Sequence, residues 1–181
     1  MPISILSRNL FEDIGRDFWH DIVRYRSRGL EFRDVVVYPT QAMALAKSLG
    51  VVRGGPDWPY FPFQIVLRHC RGPVPIRCDA RPDATEGPAE RAGAGLWCGP
   101  VSHHFGHMVA DFGMRIAASA RFDPDTPLVF STWDRDGPAP PHFFWEILDH
   151  LGVPRGRVRL VARPTRFARL RALPQAAADE A

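Results

Sequence analysis

Lysine is almost absent from this chain: Lys47 is the only one, and arginine carries the basic charge. Lys+Arg total 23 against 20 Asp+Glu, for a formal net charge of +3. No basic run is interleaved with stacking aromatics, so a nucleic-acid partner is not expected, and the arginine bias reads as a GC-rich coding sequence. Cysteine is scarce as well. Cys70, Cys78 and Cys98 are odd in number and form no Cys-x-x-Cys pair, which argues against a disulfide framework and a structural zinc site. No stretch approaches the roughly 18 apolar residues that cross a bilayer, so no membrane span is expected. The opening Met1-Pro-Ile-Ser-Ile-Leu-Ser-Arg8 lacks the basic and apolar regions of a signal peptide, and the expected location is cytoplasmic. A Gly-x-Gly-x-x-Gly fingerprint and a Walker loop are both missing, so no dinucleotide or other cofactor is expected.

What is present suits one globular domain. The chain has 181 residues, 45% of them hydrophobic and 24% charged, with 18 prolines that point to much ordered loop. Phe11, Ile14, Phe18, Ile22 and Tyr25 recur at helical spacing over 9–27, with Asn9 and Glu12 resembling a capping box. Arg24, Arg26 and Arg28 near its end suit the helix dipole. Asp34-Val-Val-Val-Tyr38 predicts a short strand broken by Pro39, after which Thr40 caps a second helix through 41–49. Residues 53–63 are too proline-rich for a central strand and read as ordered loop, with sugar stacking on an aromatic as the alternative. A further strand is expected at 64–68. Residues 79–95 have almost no bulky apolar side chains and read as a flexible loop between 1–78 and 96–174, two portions of the same domain. The tail 175–181 reads as frayed.

From 96 onward strand and helix patterns alternate: strand 96–98, helix 102–120, strand 127–132, helix 141–151, strand 157–161. That order predicts an α/β fold, a Rossmann-like parallel sheet with flanking helices. In such sheets ligands gather where strand ends enter helices.

The segment from Gly99 to Ile116 is such a place, and three histidines within five residues, then a carboxylate, mark it. On a helix from about Ser102, His104, His107 and Asp111 share one side, while Val109, Phe112 and Ile116 form an apolar stripe on another. The competing readings are a solvated surface and a helix cap. Cys98 lies close by and is either a buried free thiol or, less in keeping with its surroundings, a nucleophile or metal ligand.

These residues resemble the signature of the family 61 glycosyltransferases of capsular polysaccharide biosynthesis, which reads roughly Asn-Tyr-x-His-aromatic-Leu-x-acidic-x-x-Pro-Arg-Leu. His107 matches its histidine, Asp111 its acidic residue and Arg115-Ile116 its Arg-Leu; His104, Phe105, Met108 and Met114 replace the asparagine, tyrosine, aromatic and proline. Downstream, Pro127–Thr132, Phe143–Gly152, Arg157–Val161 and Pro164–Leu170 follow the family's order, so the similarity covers roughly residues 95 to 174.

The resemblance implies the N-terminal half of a two-domain enzyme with twin Rossmann-like halves, transferring a sugar from a sugar nucleotide to a glycan acceptor. It implies a separate donor-binding half as partner. His107 or Asp111 would be the base, and the other its orienter. Ser102, His103, His104 and Arg115 would contact substrate, with an i,i+4 pair to Asp111 as the structural alternative for Arg115. Two other functions stay open: a metal-dependent hydrolase using His103, His107 and Asp111, and a non-catalytic glycan- or partner-binding module. The transferase reading needs no metal. Protein purified without chelator is therefore expected to carry no stoichiometric zinc by elemental analysis. About one zinc per chain, lost in a His103→Ala/His107→Ala variant, would select the hydrolase instead.

Overall fold

The structure is a computed structural model, and it describes residues 29–45, 50–57, 65–67, 74–79, 90–133 and 139–174. The expected helix at 9–27 and the tail at 175–181 lie outside the described residues.

The chain is α/β, but its sheet is mixed. Eight strands, β1 (Leu30–Leu45), β2 (Gly50–Pro56), β3 (Ile65–Leu67), β4 (Val74–Asp79), β5 (Glu90–Pro100), β6 (Leu128–Ser131), β7 (Val158–Val161) and β8 (Thr165–Ala172), lie in the order β3-β4-β2-β1-β8-β5-β6-β7. Only the β8-β5-β6-β7 portion is continuously parallel; β1 pairs antiparallel with both β8 and β2. The expectation of a parallel sheet holds for that portion and for the β2–β4 pair, and is corrected where β1 meets β8 and β2 and where β3 meets β4, all antiparallel.

Alternation along β5 and β6 builds two apolar layers, because successive side chains leave opposite faces of a strand. Leu96, Cys98, Leu128 and Phe130 join Met108, Phe112, Ile116, Phe144 and Leu148 on the helix side. Trp97 and Val129 point the other way and meet Phe32, Val35, Val37, Val161, Phe167 and Leu170. The sheet curls around this second layer. Thr40 N donates to Thr132 O at 2.7 Å, Thr40 Oγ1 lies 2.9 Å from Ser131 Oγ, and Thr40 bridges Trp133, so β1 reaches the end of β6.

Thr40 is therefore tied to strand ends and caps no helix. Residues 42–45 instead pair in antiparallel register with Arg53, Val52, Val51 and Gly50, which corrects the first part of the helix expected at 41–49, while 46–49 lie outside the described residues. Ladder pairing overrides the helical preference of Ala, Met and Leu here. The same pairing corrects the loop expected at 53–63: β2 lies between β4 and β1 and runs to Pro56, while residues 58–63 lie outside the described residues. Asp34 stands at φ 51° within β1, and Phe32 and Val35, three apart, both join the second layer.

The expected flexible loop at 79–95 gives way to strand from Glu90. At Gly95 the lack of a side chain has a packing cause. A Cβ built on Gly95 would stand 2.5 Å from Val129 Cγ2 and 3.0 Å from Phe167 Cε1.

The expected helix at 102–120 is three pieces: α1 (Phe105–Ala110), a 3-10 turn (Phe112–Arg115) and α2 (Ile116–Phe122). A side chain on Gly113 would run into Met108 O, so the close turn there needs glycine. Arg157 fastens the end of α2: Nη1 donates to Ala120 O at 3.0 Å, Nη2 to Ser119 O at 3.4 Å and to Asp123 O, and Nε to Thr126 O at 3.1 Å. Beyond it, the Thr126 hydroxyl and the Asp125 N–H hold the Asp123 carboxyl below its ordinary range.

The last helix, α3 (His142–His150), buries Phe144 and Leu148 four residues apart. Gly152, at φ 68°, stops it: Val153 N bonds Leu148 O at 2.9 Å and Gly152 N bonds Asp149 O at 3.0 Å, a Schellman closure.

Gly95→Ala is expected to destabilise the chain by about 1–3 kcal/mol, the usual range for overpacking a tight core. Urea unfolding of both proteins measures it, and an unchanged midpoint would remove the packing reason for glycine there.

Candidate functional site

β5 ends at Pro100 and hands the chain to α1 at the carboxyl end of the parallel strands. Val101 N donates to Ser131 O at 2.8 Å, so the departing loop stays fastened to β6. Ser102 is 5% exposed; its Oγ accepts from His104 N at 3.1 Å and lies 3.3 Å from His104 O. His104 is the N-cap of α1, and its Nδ1 accepts from His107 N at 3.3 Å.

The centre of the site is one pair. His107 Nδ1 stands 3.0 Å from Asp111 Oδ2, with the His107 side chain 24% exposed and the Asp111 side chain 0%. The expected cluster of His104, His107 and Asp111 is thus brought together. The His104 and His107 rings have centroids 4.7 Å apart, and the His107 ring lies 6.1 Å from that of Phe112. Helix α1 ends at this point, with Asp111 as its C-cap at φ −122° and its N–H bonded to His107 O.

His103 is exposed beside the loop. Among the described residues no three His, Cys, Asp or Glu side chains group to hold a metal ion, so the ligand set His103, His107 and Asp111 is not assembled. Arg115 is 2% exposed and donates Nε to Leu173 O at 2.8 Å, tying the 3-10 turn to the end of β8 instead of presenting a cation to solvent.

One member of the expected apolar stripe is corrected. Phe112 and Ile116 are buried, but Val109 is 47% exposed and Met108 takes its place in the core. Unwinding at Asp111 rotates the following residues relative to α1, so a single continuous helix misplaces the stripe. Phe105 and Val109 instead border an apolar cleft of about 340 Å³ with Phe143 and Ile147, on the flank of α1 away from the pair. Gly106 lacks a side chain, which leaves room for the His104 ring.

Cys98 is fully buried, and its Sγ donates to Leu96 O at 3.5 Å. Burial pushes the thiol up to about 12; Ser119 and Arg115 pull the other way without offsetting it. A thiol in that state is neither a nucleophile nor a metal ligand at neutral pH.

Comparison with protein-family models, with curated proteins and with solved structures returns no match.

Because the Cys98 pKa is raised on folding from 9.0 to about 12, its contribution favours the folded state in full below 9.0 and is lost as pH climbs toward 12, since the unfolded thiol ionises first. In a Cys70→Ser/Cys78→Ser background, iodoacetamide at pH 8 is expected to label Cys98 only in denaturant. Rapid labelling of the native protein, read by mass spectrometry, would contradict the buried neutral thiol.

Proposed function

We propose that this chain is a glycosyltransferase of the family 61 kind, acting on a glycan acceptor with a sugar nucleotide as donor, and that His107 is its base. The observation that carries the reading is the pairing of His107 with a buried carboxylate. With Nδ1–H donated to Asp111, the basic lone pair of the imidazole lies on Nε2. Asp111 then fixes the tautomer and ring orientation, and stabilises the imidazolium that forms when the ring takes a proton.

Glycosyl transfer needs such a group. The attacking acceptor hydroxyl must lose its proton as the bond to the sugar's anomeric carbon forms and the nucleoside diphosphate departs. A solvated histidine would do this without directional control. A half-buried one, held by a carboxylate inside the fold, presents its base at a fixed place.

Two features of the surroundings favour this use of the pair. It lies where a parallel strand feeds a helix, the position at which α/β sheets collect ligands. The signature residues that match by identity, His107, Asp111 and Arg115, are also those that pair or anchor: two form the dyad and the third fastens the turn behind it. Metal hydrolysis receives no such support, since His103 stands apart from the pair.

The test is sugar transfer from a panel of sugar nucleotides to glycan acceptors, by the 181-residue chain alone and with a separate donor-binding half. His107→Ala and Asp111→Asn are each expected to lower turnover by about 10²-fold or more, the scale of a general base and of its tautomer control. Unchanged turnover in both would reject the assignment.

A further inference from the structure

We propose that His104 is a positioning residue, a helix cap that holds His107 in place, and not a substrate ligand; the inference rests on His107 acting as the base. Three observations converge on it.

First, the backbone of His104 is extended, at φ −105° and ψ 116°, and its Nδ1 takes the N–H of the residue three places on. That is N-cap geometry, a role usually filled by the oxygen of Ser, Thr, Asp or Asn. The N–H it takes belongs to His107 itself. The bond therefore fixes the backbone of the residue whose ring holds Asp111.

Second, the neighbours make room for an unusually bulky cap. A Cβ on Gly106 would stand 3.2 Å from His104 Cε1 and 3.4 Å from Nδ1, closer than a side chain sits comfortably against a ring. A side chain at 106 requires the exposed imidazole to give by a few tenths of an ångström, which crowds the bond it accepts.

Third, the cap is itself fastened. Ser102 Oγ accepts from His104 N at 3.1 Å and donates to His104 O at 3.3 Å, which holds the capping residue in its extended conformation. Ser102, His104 and Gly106 form one clamp on the start of α1. Accepting at Nδ1 places the His104 ring proton on Nε2, so the two adjacent imidazoles use Nδ1 oppositely: His104 as acceptor, His107 as donor to Asp111.

An asparagine side chain would accept the same N–H through its amide oxygen, which accounts in physical terms for a histidine standing at the asparagine position of the signature. His104→Asn is thus the conservative variant and His104→Ala the one that removes the cap.

The experiment compares His104→Ala, His104→Asn and Gly106→Ala in the full chain by two measurements. Amide hydrogen exchange at His107 is expected to speed up about fivefold in His104→Ala, the size of a lost N-cap, and to return toward wild type in His104→Asn. Gly106→Ala, with its cap crowded, should follow His104→Ala. In the transfer assay kcat should fall in His104→Ala with KM for the acceptor little changed, and His104→Asn should recover it. Unchanged exchange in His104→Ala, or no recovery in His104→Asn, would overturn the capping role. So would a raised acceptor KM with native exchange, which would assign His104 to the substrate. If wild type transfers no sugar even with a separate donor-binding half, the transferase reading fails while the exchange measurement still decides the cap; Gly106→Ala serves where His104→Ala does not fold.

Discussion

The site depends on β5 and β6 being buried on both faces. A strand with one wet face can slip its register and expose the wrong side chains; a strand whose every second residue enters a different core has neither direction open to it. Leu96 and Cys98 sit among the helices while Trp97, between them, sits inside the curl. Trp97 Nε1 has no hydrogen-bond partner among the described residues, which costs about 1–3 kcal/mol. Burying roughly 150–250 Å² of indole at about 25 cal/mol/Å² stabilises by about 4–6 kcal/mol, so packing wins. The end of β5 is thereby fixed, and the loop that starts there begins from a defined point.

A second constraint acts one turn further on. A carboxylate removed from water is costly unless it is paired, and Asp111 is removed almost completely. His107 supplies part of the compensation at 3.0 Å, and the helix gives up its regular course at Asp111. The break and the dyad belong together. Had α1 run straight into α2, the 3.6-residue period would have kept Asp111 on the same polar stripe as His104 and His107, on the solvent side. Ending the helix turns the carboxylate inward and leaves its imidazole partner at the boundary between protein and solvent.

This division explains what was legible in the sequence. The i,i+4 spacing of His107 and Asp111 is local, and so are the strands at 127–132 and 157–161 and the helix at 141–151; each carries its own periodicity. What could not be read depends on distant partners. Residues 42–45 have helix-forming side chains and become strand because β2 pairs with them; 90–95 look like linker, yet the glycine at 95 is what lets Val129 and Phe167 pack. The 164–170 segment is the clearest instance. It is recognisable as sequence, yet its place between β1 and β5 as β8 follows only from pairings with residues more than seventy and more than a hundred positions away.

The mixed sheet bears on the functional reading in a specific way. An antiparallel β1 and β2 depart from a Rossmann-like half, so the likeness to one cannot be carried across the whole chain. Ligands collect at the carboxyl ends of parallel strands on a lesser condition: adjacent parallel strands, and a loop leaving one of them for a helix. β5 and β6 meet that condition locally, since Leu96 pairs with Leu128 and Pro100 with Ser131 in parallel register. Thr40, arriving from the antiparallel side, closes on Ser131 and Thr132 at that same end. The antiparallel strands thus support the site mechanically, by holding the end of β6 against which Val101 is fastened. The chemistry needs only the parallel pair and the short helix that follows it.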